Sequence, residues 1–163
     1  MRVYVGVGSN LGDRWGRLAH AARELRATAG VALVQASRVY DAAPIGPPQP
    51  RYLNAVLELE TSLPALDVLD LVQEVERTGG RVRGPERWGP RTLDLDLLLY
   101  GEAVVRVPRL VVPHPGLAVR RFVLAPLGEL CPERTVPGTG RTVAQLLALV
   151  PPEDVRTCGL YPL

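Results

Sequence analysis

Val3, Val5 and Val7 recur at every second position, the period of a strand, so residues 2–8 read as a first strand. Ser9-Asn10-Leu11-Gly12-Asp13 is turn chemistry, with Asp13 a candidate N-cap. Trp15, Leu18, Ala22, Leu25 and Ala29 then return at helical spacing until Gly30 stops the helix. Residues 31–40 predict a second strand. Prolines are too dense between Ala42 and Pro50 for regular structure, and a connection of that length suits a lid or binding loop. From Tyr52 to Thr61 the pattern alternates, with Leu53, Ala55, Leu57 and Leu59 on one face and Tyr52, Asn54 and Val56 on the other. Ser62 is placed to cap a helix running to Arg77, ended by Gly79-Gly80.

A loop rich in glycine, proline and arginine follows, and then an apolar strand over 92–100. Gly101-Glu102 predicts a turn into a short partner strand at 103–107. Beyond it lie a helical patch near 117–129, a turn-rich stretch at 132–141 and a capped helix from Thr142 to Val150. The order strand-helix-strand, strand-helix-strand predicts an α+β fold. Its form is a ferredoxin-like split βαβ, a mainly antiparallel sheet with helices on one face and extra C-terminal elements on the other. A parallel doubly wound sheet is the alternative, disfavoured by the direct succession of strands within 31–61.

The strand over 92–100 carries two acids. Strict alternation puts Leu93, Leu95, Leu97 and Leu99 on one side. Asp94 and Asp96 then share the other side, roughly 7 Å apart, in line with Leu98 and Tyr100. A bare D-x-D is often just the solvated face of an edge strand. Here it directly follows Arg77, Arg81, Arg83, Arg87 and Arg91, all within fifteen residues. Paired carboxylates beside a kinked cationic loop suit metal-assisted phosphoryl transfer, with Mg2+ completing its shell from water and phosphate oxygens. Trp88 within that loop reads as a stacking surface, and Asn54 beside Tyr52 can read the edge of a heterocycle. Gln73 and Glu76 lie one helical turn apart, a spacing that on its own predicts solvent exposure.

Length and composition narrow the classes. The chain has 163 residues, 47% hydrophobic and 22% charged, which predicts one soluble globular domain over 1–163, with the cytoplasm as the expected location. No apolar run approaches a membrane span. All 19 basic residues are arginine, which excludes a lysine phosphate loop and lysine Schiff-base chemistry. Phosphate binding must then rely on guanidinium groups and backbone amides. The net charge of +2 is too small for a dedicated nucleic-acid binder. Cys131 and Cys158 show no metal or redox spacing and read as buried free thiols.

Three sets of residues carry a family resemblance. They are Arg81-Val82-Arg83 with the run Glu86 to Asp96, Gly8-Ser9-Asn10-Leu11-Gly12, and Tyr52-Leu53-Asn54-Ala55 with Val112-Pro113-His114. Together, over roughly 3–150, the sequence resembles the 6-hydroxymethyl-7,8-dihydropterin pyrophosphokinases of the folate pathway. The resemblance implies transfer of the pyrophosphoryl group of ATP to the pterin hydroxymethyl, with release of AMP. By position it implies Asp94 and Asp96 as ligands of two Mg2+ ions and as catalytic residues together with Arg81 and Arg91. It implies an ATP site of Gln73, Glu76, Arg83, Arg87, Trp88, Leu97, Arg109, His114 and Arg120. The pterin site would comprise Ala42, Ile45, Tyr52, Asn54, Trp88 and Phe122. The sequence departs from the family's usual pattern at Ala42, Ala43, Gly84, Val111 and Pro115. The rival readings are a metal-dependent nucleotidyltransferase, which would release pyrophosphate, and a ferredoxin-like RNA-binding module, which the scarcity of aromatics opposes.

Overall fold

The computed structural model describes residues 1–44, 46–79 and 93–163. Strand β1 (Arg2–Ser9) leads into helix α1 (Arg14–Arg26), whose first turn is capped as expected: Asp13 Oδ1 accepts the Gly16 N–H at 3.0 Å. The helix ends at Arg26, before Gly30, and the chain turns at Gly30 with a φ of 81°.

The stretch 31–40 forms two strands, β2 (Val31–Ala36) and β3 (Val39–Ala42). The break falls at Ser37, which is buried. Its N–H donates to Val56 O at 2.9 Å, and its hydroxyl accepts the Val56 N–H at 2.9 Å. A side-chain oxygen thus carries the ladder across the bend, so the kink orphans no amide of β4 (Tyr52–Thr61). Helix α2 (Ala65–Thr78) starts at Pro64 rather than under a Ser62 cap. The fixed φ of proline begins the helix, while the Leu63 N–H is taken by Thr61 Oγ1 at 3.0 Å. Gly79 closes α2, and a Cβ there would collide with Leu93 Cδ2, so the approach to β5 (Asp94–Tyr100) needs a glycine.

The main sheet is antiparallel throughout, in the order β10-β3-β4-β1-β5, with β2 also paired to β4. This is the expected split βαβ. Strand β10 (Val155–Gly159) adds an edge beside β3 that the sequence pattern did not announce. Below the sheet, α1 and α2 bury Leu18, Leu25, Val68 and Val72 against Val3, Val5, Leu57 and Leu59. Each fully buried leucine there contributes about 1.5–3 kcal/mol. Above it, a 3-10 turn (Leu117–Val119), α3 (Arg121–Leu130) and α4 (Val143–Leu149) cover Tyr4, Val56 and Leu99. A full capping box between Thr142 and Gln145 starts α4.

Further expectations change. Residues 103–107 do not pair with β5: β6 (Val105–Val107) forms its own hairpin with β7 (Leu110–Val112). A second ribbon joins β8 (Thr135–Val136) and β9 (Arg141–Thr142). Finally, β5 does not alternate to its end. Val5 pairs with Leu97 and Tyr4 with Leu99, so Leu98 is an extra residue. The bulge turns Leu99 toward α3 and α4 and sends Tyr100 to the α1/α2 side, where its hydroxyl donates to Leu63 O at 2.5 Å. Both cysteines are free, but only Cys131 is partly buried and Cys158 is exposed.

Candidate active site

Among the described residues, the upper helices pack on the sheet at Tyr4, Val56, Leu98 and Leu99. At the other end, one cross-strand row runs Asp94–Gly8–Asn54–Tyr40, each residue directly opposite the next. Because paired residues share a face, Asp94 and Asn54 project to the same side, two strand spacings or roughly 10 Å apart. The intervening residue is glycine, so β1 contributes no side chain between them. The neighbouring row is Asp96–Gly6–Val56, so both acids face a glycine on β1. Asp94 and Asp96 thus lie on one face, as the sequence predicted. Both are partly exposed, with 46% of the Asp96 side chain accessible.

The far wall belongs to β4 and β3. Tyr52 pairs with Ala42, which ends β3 and is buried, and the Tyr52 ring approaches the space over Gly8. Tyr40 is anchored at the back of the row, its hydroxyl donating to Glu129 on α3 in a short hydrogen bond. Burial, and then that bond, push the Tyr40 phenol up to about 12. The loop joining Ala42 to Tyr52 is tied from β1: Asn10 Nδ2 donates to Gln49 Oε1 at 2.8 Å and to Pro50 O at 2.9 Å.

Near the acids, the His114 N–H donates to Leu98 O at 3.0 Å, which fixes the loop after β7 along β5. His114 Nδ1 accepts the Gly116 N–H at 3.0 Å, so the ring proton sits on Nε2, 3.9 Å from Asp96 Oδ1. Burial, followed by the charge of Arg120, pulls the imidazole below its ordinary range, against the opposing pull of Asp94. Neutral His114 therefore presents an N–H donor beside the carboxylates. Arg120, at the start of α3, lies over the Phe122 ring at 5.9 Å and leaves no room for a Cβ on Gly116. Phe122 itself is half-buried against the upper core.

Of the remaining expected ATP residues, Gln73, Glu76, Leu97 and Arg109 lie on the α2 side of β5. Gln73 is exposed, but Glu76 is only 3% exposed, contrary to the expectation from spacing. Its Oε2 accepts the Leu95 N–H at 3.2 Å, so this carboxylate seals the outer edge of the strand between the two acids. Leu97 is buried in the lower core, which leaves only its main chain for a ligand. Arg109, in the β6–β7 turn, pairs with Asp70 of α2. Ile45, Arg81, Arg83, Arg87, Trp88 and Arg91 lie outside the described residues.

Two hard carboxylates on one partly exposed face fit Mg2+, which binds few protein ligands and retains waters and phosphate oxygens. Among the described residues no three His, Cys, Asp or Glu side chains gather into a metal cage. The donor set therefore suits an ion that arrives with a phosphate ligand. Sequence reasoning overlooked the row itself. Its signal was present in Gly6 and Gly8, where side chains vanish from one face of a strand just opposite the acids.

A family model described as 7,8-dihydro-6-hydroxymethylpterin-pyrophosphokinase matches residues 4–132. A 2-amino-4-hydroxy-6-hydroxymethyldihydropteridine pyrophosphokinase of Pseudomonas aeruginosa is 45% identical over 155 residues, 94% of each chain. The protein of the same name from Bacillus subtilis is 42% identical over 130 residues, covering 79% of this chain and 77% of that one. Among solved structures, an HPPK-DHPS in complex with substrates aligns with a TM-score of 0.71 over 96% of this chain and 46% of that chain, at 8% identity. The wild-type Plasmodium falciparum HPPK-DHPS with pteroate gives a TM-score of 0.71 at 10% identity, over 90% of this chain and 44% of that one. This chain thus spans less than half of those larger proteins, and at such identities they speak to the fold.

Proposed function

The chain belongs to the 7,8-dihydro-6-hydroxymethylpterin-pyrophosphokinase family, and from that membership we propose the working of its site. The protein transfers the pyrophosphoryl group of ATP to the hydroxymethyl oxygen of 6-hydroxymethyl-7,8-dihydropterin, in folate biosynthesis. The observation that carries the assignment of residues is the row Asp94–Gly8–Asn54. A heterocycle read by the Asn54 amide extends its side arm over the bare backbone of Gly8 toward the two acids. Tyr52, and by resemblance Phe122, Trp88, Ala42 and Ile45, bound that heterocycle.

In the reaction, the alcohol oxygen bonds to the β-phosphorus as the bond from that phosphorus to the α,β-bridging oxygen breaks; AMP leaves and the hydroxyl proton is lost to water. Positioning and charge neutralisation are all that such a step asks of a protein. Asp94 and Asp96 would hold two Mg2+ ions together with the triphosphate. When bound, they supply charge neutralisation on the phosphoryl oxygens. The Nε2–H of neutral His114 and the Arg120 guanidinium supply donors on the same side. Glu76 holds the strand that carries the acids, while Gln73, Arg109 and the Leu97 main chain line the nucleotide side of β5. Arg81 and Arg91 are assigned to the transferring group, and Arg83 and Arg87 to ATP.

Nucleotide products resolved by chromatography test the reading. AMP should accumulate only when the pterin alcohol is present. Release of pyrophosphate would favour the nucleotidyltransferase instead, and ADP would exclude both.

A further inference from the structure

The C-terminal segment reaches back to the loop between Ala42 and Tyr52 through one arginine. Arg51 Nη1 and Nη2 donate to the two carboxylate oxygens of Asp154 at 2.6 and 3.1 Å, and Nη2 also donates to Asp154 O at 3.3 Å. Its Nε donates to Asp41 in a short ion pair. The same Asp154 carbonyl accepts the Ala43 N–H at 3.1 Å, at the opposite end of the loop. From α1, Arg14 Nη1 holds the Arg51 carbonyl at 3.1 Å. Entry and exit of the loop are therefore fastened to a single residue, Asp154.

Asp154 is in turn held firmly. Directly after it, β10 pairs with β3, Val155 opposite Ala42 and Arg156 opposite Asp41. Farther on, Tyr161 is buried and its hydroxyl donates to Leu18 O at 2.6 Å, pinning the tail onto α1. Overall stability is a poor explanation for the arginine bridge. The Asp154 side chain is 57% exposed, and exposed ion pairs add little to folding. What the bridge does is fix where the chain re-enters β4, one residue before Tyr52 and three before Asn54. A bidentate guanidinium fork is well suited to setting an orientation.

We propose that Arg51 is a positioning residue for the pterin substrate: clamped between Asp41 and Asp154, it lets the C-terminal segment hold the 43–51 loop in its binding shape. This rests on the pterin reading of Tyr52 and Asn54 given above. With the clamp intact, the loop's two ends at Ala43 and Arg51 are held in place before the substrate arrives. Without it, binding must supply the ordering free energy, and affinity falls by the fraction of molecules in the competent shape.

The test uses the full-length protein and steady-state kinetics with the pterin alcohol and ATP varied separately. Asp154→Asn keeps the backbone carbonyl and side-chain size but removes the charge, and Arg51→Gln removes the fork. Each should raise KM for the pterin alcohol about tenfold, with kcat at saturation and KM for ATP changed less than about twofold. Hydrogen exchange over 43–51 should quicken while α2 is unaffected, and Asp154→Glu should restore most of the affinity. Asn54→Ala is the control for the underlying reading and should also raise the pterin KM. If it does while Asp154→Asn and Arg51→Gln bind the pterin like the parent, the clamp has no positioning role and the proposal falls. If Asn54→Ala also binds normally, the pterin reading fails and the proposal fails with it.

Discussion

The trough over Gly8 can be filled with one carbon. A Cβ at position 8 would stand 3.0 Å from Asn54 Oδ1, 3.5 Å from Tyr52 Cδ1 and 3.8 Å from Leu53 O. The first of these is tighter than an ordinary carbon–oxygen contact, so in Gly8→Ala the Asn54 amide must retreat by a few tenths of an ångström. The added methyl also occupies the path from Asn54 to Asp94. A misplacement of about 1 Å costs a reaction of this kind about a hundredfold, so the smaller shift plus the lost space should lower kcat/KM for the pterin alcohol by about ten- to a hundredfold. KM for ATP should hardly move. Stability should be nearly unchanged: alanine gains about 0.5–1 kcal/mol over glycine in a regular element, which offsets the tight contact. Gly6→Ala is the matched control, because a Cβ there meets the Leu98 side chain at an ordinary 3.5–3.6 Å. Steady-state kinetics and thermal melts of both variants decide the matter. A Gly8→Ala enzyme with parental pterin KM and kcat, or a Gly6→Ala enzyme that is the more damaged of the two, would refute the trough.

Asp94→Ala and Asp96→Ala should each reduce Mg2+-dependent turnover by about a thousandfold or more while the protein melts normally; substantial activity in either variant removes it from the metal site. Tyr161→Phe removes the buried hydrogen bond to Leu18 O and should cost about 1 kcal/mol, read as a lower urea midpoint. Tyr40 supplies a pH test. Its folded-state pKa lies near 12, above the unfolded value near 10, so its contribution to stability is full below pH 10 and is lost as pH rises toward 12. Tyr40→Phe should flatten that alkaline decline, and an unchanged slope in urea titrations would show that the tyrosine is not its source.

The parts of this fold with a strict period were legible in the sequence. The valines of β1, the alternation of β4 and the Thr142–Gln145 cap all emerge where their local chemistry predicts. What escaped was decided by contacts distant in the chain. Ser37 breaks a strand because Val56 needs its hydroxyl. Glu76 is buried because the Leu95 amide at the edge of β5 needs an acceptor, which no helical spacing can reveal. Strand β10 is short and has two of its five residues polar or charged, so only its pairing with β3 makes it a strand. The motifs singled out Asp94, Asp96 and Asn54 as candidates, but placing Asp94 and Asn54 in one row, with Asp96 in the next, required the register of β1.

The bulge at Leu98 explains how one strand serves both purposes. A regular β5 would carry Asp94, Asp96, Leu98 and Tyr100 on the upper face and leave Leu99 below, away from the upper core it joins. The extra residue resets the phase after the acids. Ahead of the bulge, the upper face is polar and opposed by glycines. At and after it, Leu98 and Leu99 join the dry upper core with Tyr4 and Val56. The same switch gives His114 its seat, since the carbonyl that holds its backbone amide belongs to Leu98. Carboxylates placed to meet a ligand need access, and a packed core needs water excluded. A single inserted residue lets these neighbouring demands be met within seven residues of one strand.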